Sequence, residues 1–354
     1  MARKKRLSMM KLWIGLCLLL AGVLIGLIVT AWLRPFKNYA ELEKIVWIAP
    51  RTSSQAIALQ LEQEGVISHR LLFLLYVKTL KWSSHLQAGE YRFQNFLTIP
   101  EVADRLIQGL VHYRELTIPE GYSLFEIPEL LSQAGLIPSK TFAAAFKNVD
   151  LIADLAPDAR NLEGFLFPDT YRWTRQTSVE DLIRQMTERF REVTSSHLLP
   201  KIDGSSANLQ QVVTLASLIE KETAVDSERP LVSAVFHNRL TRRIPLQCDP
   251  TVIYSAKLRG KFRGKIFQSD LDFDSPYNTY SVAGLPPGPI ANPGLKSLQA
   301  AVQPAKVKYL YFVSDNQGGH VFSETLAQHQ RAVAKYRRAL RNGKYLSQSR
   351  KVGS

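Results

Sequence analysis

The chain has 354 residues, 45% of them hydrophobic, which is enough to bury one large core or two modest ones and excludes a disordered tail. Its net charge of +14 comes from the ends, because residues 1–37 and 335–354 each hold seven Lys or Arg and no acid, whereas residues 38–334 hold 31 of each sign. A nucleic-acid-binding domain usually carries its basic excess on the folded body, so we expect no nucleic-acid partner. The two cysteines, Cys17 and Cys248, exclude a disulfide scaffold and a multi-cysteine zinc site, and we predict no metal or cofactor.

The first predicted element is a membrane-spanning helix. The segment Leu12–Leu33 carries no charge, and at ~1.5 Å per residue it reaches ~33 Å, enough to cross a hydrocarbon core. Five basic residues precede it and only two follow closely, so residues 1–11 are predicted to be a basic cytoplasmic tail and the rest of the chain to lie outside. The alternative is a cleaved signal peptide ending near Ala31, but the apolar run exceeds the ~7–15 residues usual in such a peptide.

An internal repeat follows the anchor. Residues 48–67 align with residues 118–137 at an offset of 70, with seven of twenty positions identical. Each copy is typical of a strand, then a helix, then a terminating glycine, Gly65 or Gly135. Residues 38–155 are therefore predicted to be small α+β modules that resemble LysM domains, which implies binding to an N-acetylated glycan. The alternative is a spacer that holds a second domain off the membrane.

Capping patterns predict where several helices begin. A Ser, Thr or Asn before an apolar run, often with Glu, Gln or Asp three residues later, satisfies free backbone N–H groups. Such residues are Thr52, Thr98, Ser123, Ser178 and Asn208. Further along, Asn292 is predicted to cap a helix whose first residue is Pro293, residues 309–324 a hairpin, and residues 325–340 a helix before a basic tail, residues 341–354.

Residues 156–340 are predicted to form a mixed α+β catalytic domain. The helix that begins at Asn208 ends near Glu220, which follows Ala216 by four residues and Ser217 by three. Small side chains there are expected to leave space for a ligand, and burial can raise the pKa of a carboxyl from ~4.3 to ~6, which suits a general acid. Glu222 is predicted to point elsewhere. The alternative is that Glu220 is an ordinary helix-end glutamate paired with Lys221, Arg239 or Arg243.

Polar residues in hydrophobic surroundings predict a saccharide groove. A long proline-rich loop, residues 275–294, is stiff enough to present hydrogen-bonding and stacking side chains, although it could equally be a structural cover. The candidate substrate-binding residues are Glu163, Gln247, Asp249, Tyr254, Asn278 and Tyr280. The chain has no HExxH, GxSxG or Walker pattern, which disfavours a metalloprotease, an esterase and a nucleotide hydrolase.

Six segments, in order, resemble one known family. LEGFLFPDTY, LASLIEKETAV, VFHNRL, LQCDPTVIY, YNTYSVAGLPPGPIANPG and YLYFVSDNQGGHVFSET are similar to motifs of the endolytic murein transglycosylases, the YceG-like family, and the match spans roughly residues 40–340. The resemblance implies a single-pass inner-membrane protein with a LysM-like subdomain and a periplasmic catalytic domain. That domain would cut peptidoglycan strands between N-acetylmuramic acid and N-acetylglucosamine, limiting strand length, with penicillin-binding synthases as partners. Glu220 falls on the catalytic glutamate.

The implied mechanism is that of a lyase. Glu220 would protonate the glycosidic oxygen and then remove the proton from the C6 hydroxyl of the same muramic acid, closing an anhydro ring. A muramidase is one alternative, and it needs a second carboxylate ~5–9.5 Å away, for which Asp249 and Glu163 are candidates. The other is a non-catalytic, membrane-tethered scaffold that binds glycan strands for cell-wall synthases.

Overall fold

The computed structural model describes residues 2–136, 139–202 and 208–341, and the predicted basic tail, residues 341–354, lies almost wholly outside them. The chain divides into two compact units. The first comprises the described residues up to Arg114 together with Arg172–Gln176, and the second comprises Glu115–Tyr171 and the described residues from Thr177 onward.

The first unit begins with a long helix, α1 (Ala2–Leu33). Within it, Met9–Leu33 is long and apolar enough to cross a membrane, and none of this stretch is buried in the protein. Isolated apolar helices of this length are unfavourable in water, since their side chains gain nothing from exposure. The helix is therefore consistent with the predicted single-pass anchor.

The rest of the first unit is a small layer of helices on a two-stranded sheet. Strands β1 (Lys44–Ile48) and β2 (Gly89–Phe93) are antiparallel, with Val46 opposite Tyr91. Their connection contains helices α2 (Ser54–Gln63) and α3 (Arg70–Thr79), and α4 (Ile99–Ile107) follows β2. The apolar faces of these elements form one core that includes Val46, Ile48, Ile57, Leu61, Phe73, Tyr91, Phe93 and Leu106.

The second unit is mainly helical. Its hairpin strands β5 (Tyr311–Ser314) and β6 (His320–Ser323) are antiparallel. The short strands β3 (Arg114–Thr117) and β4 (Thr170–Trp173) belong to this unit except for Arg114, Arg172 and Trp173. The helices before the hairpin are α5 (Glu126–Gln133), α6 (Ser139–Ala145), α7 (Val179–His197), α8 (Leu199–Ile202), α9 (Leu209–Glu222), α10 (Arg229–Thr241), α11 (Asp249–Leu258), α12 (Gln268–Leu271) and α13 (Leu295–Val302). Helix α14 (Leu326–Arg341) ends the described chain. The predicted mixed α+β class is confirmed, whereas the likeness to LysM domains stays a prediction.

The predicted domain boundary near residue 156 differs from the division that the structure makes at Glu115. Backbone hydrogen bonds explain the difference, because Ile118 N–H donates to Asp169 O at 2.9 Å and Asn292 N–H to Tyr122 O at 2.8 Å. The second copy of the repeat is thus built into the second unit. Its last residue, Ile137, lies outside the described residues.

Three of the predicted helix caps are confirmed. Thr98, Ser178 and Asn208 each accept a backbone hydrogen bond in a reciprocal capping box. Two predictions were wrong: Ser53 rather than Thr52 caps α2, and Ser123 bonds Glu126 in the turn before α5 without capping it. The predicted Asn292 cap was also wrong, because α13 begins at Leu295.

Candidate active site

Glu220 lies in the last turn of α9 and takes part in a buried ion pair. Arg229 Nη1 donates to its Oε1 at 3.1 Å, and the Gly294 N–H donates to its Oε2 at 3.0 Å. The side chains of Glu220 and Arg229 are each only 6% exposed. The partner is an arginine on the next helix, not Lys221, Arg239 or Arg243. Both carboxylate oxygens are therefore engaged by the protein.

The small residues before Glu220 do not leave the space that the sequence predicted. Ser217 Oγ donates to Thr214 O at 2.7 Å and accepts from the Ile290 N–H at 3.1 Å, and it is fully buried. Ala216 is fully buried as well. The proline-rich loop therefore packs directly on this face of α9, since only small side chains allow its backbone to approach so closely.

Further charges surround the same arginine. Arg229 Nε donates to Asp226 Oδ1 at 3.2 Å, and its Nη2 lies 3.8 Å from Glu120 Oε2. Burial, and then the negative charge of Glu220, raises the pKa of Glu120. We call Glu120, Glu220, Asp226 and Arg229 the Arg229 cluster. Its ion pairs and the Gly294 N–H bond to Glu220 connect α9, α10 and the start of α13.

Glu222, the last residue of α9, has different surroundings. Burial raises the pKa of its carboxyl to about 7, the thiol of Cys248 lowers it by hydrogen bonding, and the charge of Asp249 raises it. Arg239 and His320 lie close enough to lower it further. A carboxyl with a pKa near neutrality can both donate and accept a proton, which is the property that general acid–base catalysis requires.

The surroundings of Glu222 make it a second candidate for acid–base catalysis besides Glu220. Residues two apart on a helix face different ways, so Glu220 and Glu222 cannot share one environment. The second glutamate faces the polar segment around Cys248 and Asp249.

Three of the predicted substrate-binding residues come together beside Glu222. Tyr280 donates from its hydroxyl to Asp249 Oδ1 at 2.5 Å, and Gln247 N–H donates to Thr279 O at 3.0 Å. Gln247 adopts a φ of 50°, a left-handed conformation that costs energy for any residue except glycine. These contacts connect the turn before α11 to the proline-rich loop. They place polar side chains next to Glu222.

Asn278 is buried and fully engaged within the protein. Its Nδ2 donates to Leu271 O at 2.7 Å and to Phe273 O at 2.8 Å, and its Oδ1 accepts from Tyr280 N–H at 3.1 Å. The side chain therefore shapes the loop that carries Tyr280. A direct contact between Asn278 and a sugar stays a prediction, and it would require these bonds to open.

Glu163 and Tyr254 form a second buried group. Glu163 is 1% exposed, and its Oε2 accepts from Tyr254 Oη and from Leu124 N–H, both at 3.0 Å. Its Oε1 accepts from Asn292 Nδ2 at 3.2 Å. Burial raises the pKa of Glu163 to about 8. The sugar contacts predicted for Glu163 and Tyr254 stay predictions, since their polar atoms face protein partners.

No cluster of three or more His, Cys, Asp or Glu side chains within residues 2–136, 139–202 and 208–341 could hold a metal ion. The second unit contains groups suited to proton transfer. They are the Glu222 carboxyl with a pKa near 7, the neighbouring carboxyl of Asp249 and the hydroxyl of Tyr280. A carboxyl with a pKa near neutrality beside polar side chains is a candidate for acid–base catalysis.

Comparison with known proteins identifies the family. The model of the YceG-like family matches residues 46–335, so the chain belongs to that family, as predicted. A protein of Bacillus subtilis named endolytic murein transglycosylase is 34% identical over 320 residues, which cover 86% of this chain and 88% of that protein. A protein of the same name from Streptococcus pneumoniae serotype 2 is 31% identical over 323 residues, and the matched region covers 82% of this chain and 58% of that relative.

A solved structure agrees with this assignment. The crystal structure of a YceG-like protein from Listeria monocytogenes superposes with a TM-score of 0.57 at 30% sequence identity. The superposition covers 82% of this chain and 98% of that chain. The architecture described above is thus shared across nearly the whole of the Listeria protein.

Proposed function

We propose that this protein is an endolytic murein transglycosylase. It cleaves the bond between N-acetylmuramic acid and N-acetylglucosamine within peptidoglycan strands and leaves 1,6-anhydro-muramic ends. The observation that carries the proposal is the match to the YceG-like family over residues 46–335. Within the second unit, Glu222 lies beside Cys248 and Asp249, and burial raises its pKa to about 7. The names of the Bacillus and Streptococcus relatives support a lytic transglycosylase, which is a carbon–oxygen lyase.

One carboxyl performs both proton transfers. Protonated Glu222 donates its proton to the glycosidic oxygen as the bond from that oxygen to C1 of muramic acid breaks. The resulting carboxylate then accepts the proton of the C6 hydroxyl, whose oxygen forms the new bond to C1. The reaction consumes no water and returns Glu222 to its protonated form. A pKa near 7 suits both halves of this cycle.

The geometry favours Glu222 over Glu220 as this group. Both oxygens of Glu220 accept hydrogen bonds from Arg229 and Gly294, whereas Glu222 bonds the thiol of Cys248, a weaker donor, and burial raises its pKa to about 7. The role predicted for Glu220 remains a proposal that the same experiment tests.

The decisive experiment digests purified peptidoglycan strands with the wild-type protein, Glu222→Gln and Glu220→Gln. Mass spectrometry of the products is expected to show anhydro ends, one water lighter than hydrolysis products, from wild type and from folded Glu220→Gln. Glu222→Gln is expected to release none. Full activity in Glu222→Gln would overturn the assignment of the catalytic residue.

A muramidase is the second candidate, and one observation favours it. Asp249 lies close enough for its charge to act on Glu222, so the site holds two carboxyl groups, as a hydrolase of this kind requires. Products that carry the mass of an added water would establish hydrolysis. A protein that binds strands without shortening them would instead be the non-catalytic scaffold.

We further propose that α1 anchors the protein in the bacterial inner membrane, with residues 1–11 in the cytoplasm and the catalytic unit outside. The five basic residues before the apolar stretch support this orientation. In this position the enzyme limits the length of nascent strands, with penicillin-binding synthases as partners. The strand–helix–helix–strand order of β1, α2, α3 and β2 supports a LysM-like glycan-binding module.

A further inference from the structure

A cavity of about 710 Å³ lies in the first unit beside the C-terminal end of α1. Its lining includes residues of α1, an aromatic residue from the segment between β2 and α4, and two basic residues that follow α1. In that order these residues are Leu27, Thr30 and Ala31, then Phe96, then Arg34 and Lys37. The cavity is separate from the site that contains Glu222, which belongs to the second unit.

The position of the cavity along α1 sets its depth in a membrane. The apolar stretch ends at Leu33, and Leu27 precedes it by six residues, or about 9 Å at 1.5 Å per residue. If α1 spans the bilayer, Arg34 and Lys37 lie at the level of the lipid headgroups and Leu27 lies at the level of the first acyl carbons. The aromatic Trp32 lies at this boundary, where tryptophan is enriched in membrane proteins.

Phe96 is held close to the C-terminal end of α1. Trp32 Nε1 donates to Leu72 O on α3 at 2.9 Å, and its ring packs edge-on against Tyr76 at 5.2 Å. Phe36 and Leu97 exchange two backbone hydrogen bonds, at 2.9 and 3.2 Å. These contacts hold Phe96, the neighbour of Leu97, beside the helix, so the cavity is part of the folded unit.

The chemistry of the lining is that of a phospholipid site. Arg34 and Lys37 supply two positive charges to the lining, and no lining residue is acidic. The Phe96 side chain is 66% exposed, as is much of Leu27, although both are large and apolar. Exposed apolar surface below a pair of cations is what a lipid phosphate with its acyl chain would cover.

We propose that this cavity binds one anionic phospholipid of the surrounding bilayer. Its phosphate lies against Arg34 and Lys37, and the start of one acyl chain lies between Leu27 and Phe96. The bound lipid fills the space between α1 and the rest of the first unit. This inference rests on the membrane-spanning role of α1, and it is independent of the chemistry at Glu222.

The test uses the full-length protein in nanodiscs that contain phosphatidylglycerol and phosphatidylcholine, with its intact mass confirming that α1 is retained. Native mass spectrometry after release from the nanodisc measures how much phosphatidylglycerol stays bound. Arg34→Gln/Lys37→Gln is expected to weaken retention about thirtyfold, since each basic residue at a membrane surface contributes about 1 kcal/mol. Phe96→Ser, which removes an exposed ring, is expected to weaken retention without changing the melting temperature.

The matched control is Arg51→Gln/Lys78→Gln, which removes the same charge from the first unit outside the cavity lining. It is expected to retain phosphatidylglycerol as wild type does. Equal loss in this control, or equal retention of phosphatidylcholine, would overturn the proposal. So would retention of a polyprenyl diphosphate in place of the phospholipid when both are supplied. Glycan digestion by Arg34→Gln/Lys37→Gln stays normal, so this test and the Glu222 test can fail separately.

Discussion

Arg229 Nη1 lies 3.1 Å from Glu220 Oε1, and this ion pair joins the last turn of α9 to the first turn of α10 within the protein interior. Removing one partner of a buried ion pair leaves the other charge desolvated, which typically costs 3–5 kcal/mol. Arg229 also contacts Asp226 and Ser297. The pair therefore contributes to holding α9 and α10 together.

The first prediction concerns this pair. Glu220→Gln is expected to lower the free energy of unfolding by about 3 kcal/mol, because Arg229 loses its most buried counter-charge. Cleavage measured well below the melting temperature is expected to persist. Urea unfolding and strand digestion on the same sample check both statements, with exposed Glu188→Gln as the control. A stable but inactive Glu220→Gln protein would return the catalytic role to Glu220.

The second prediction concerns the pH dependence of cleavage. Burial raises the pKa of Glu222 to about 7, and the general acid must carry its proton to begin the reaction. We therefore expect kcat/KM to fall tenfold per pH unit above about pH 7, and we expect Glu222→Gln to be inactive at every pH. A rate that stays flat from pH 6 to pH 9 would contradict the role of Glu222.

The third prediction concerns Cys248, whose thiol is hydrogen-bonded to Glu222. Backbone bonds hold this residue in place, because its N–H donates to Thr279 Oγ1 at 3.0 Å and its carbonyl accepts from Thr251 Oγ1 at 2.7 Å. The thiol stabilises the carboxylate, so Cys248→Ala is expected to raise the pKa of Glu222. Cys248→Ser, a stronger donor, is expected to lower it.

The measurement is the pH at which kcat/KM begins to fall, which is expected to move upward in Cys248→Ala and downward in Cys248→Ser. Cys17→Ser, in the apolar helix, is the control and should leave the profile unchanged. Identical profiles for the two Cys248 variants would show that the thiol does not act on the carboxyl. Loss of activity without a change in the profile would indicate a packing defect instead.

The fourth prediction concerns stability as a function of pH. Burial raises the pKa of Glu163 from 4.5 to about 8, so between these values the folded state holds a proton that the unfolded chain has released. The free energy of unfolding is therefore expected to fall as pH rises through this window. At 1.36 kcal/mol per pKa unit, the loss contributed by Glu163 is on the order of 5 kcal/mol by pH 8.

Urea unfolding at several pH values checks this prediction. Glu163→Gln cannot titrate, so its stability is expected to change much less between pH 5 and pH 8. The remaining slope reflects other groups such as Glu222, and Glu188→Gln should retain the full slope of the wild type. Stability that rises with pH in the wild type would contradict a raised pKa at Glu163.

Structural features that depend on a few neighbouring residues could be predicted from the sequence. The apolar run of α1, the caps at Thr98, Ser178 and Asn208, and the hairpin of β5 and β6 all follow from hydrogen bonds or burial within a short segment. The six motifs identified the family because their order along the chain needs no knowledge of contacts.

Only the tertiary structure decided what the polar residues do. Asn292, a plausible helix cap in the sequence, instead bonds Leu166 N–H and Glu163, more than 120 residues away along the chain. Glu220 and Glu222 stand two residues apart, yet one meets Arg229 and the other meets Cys248 and Asp249. The proton affinity of a carboxyl depends on burial and on charges that folding brings within a few ångströms, and spacing along the chain does not contain that information.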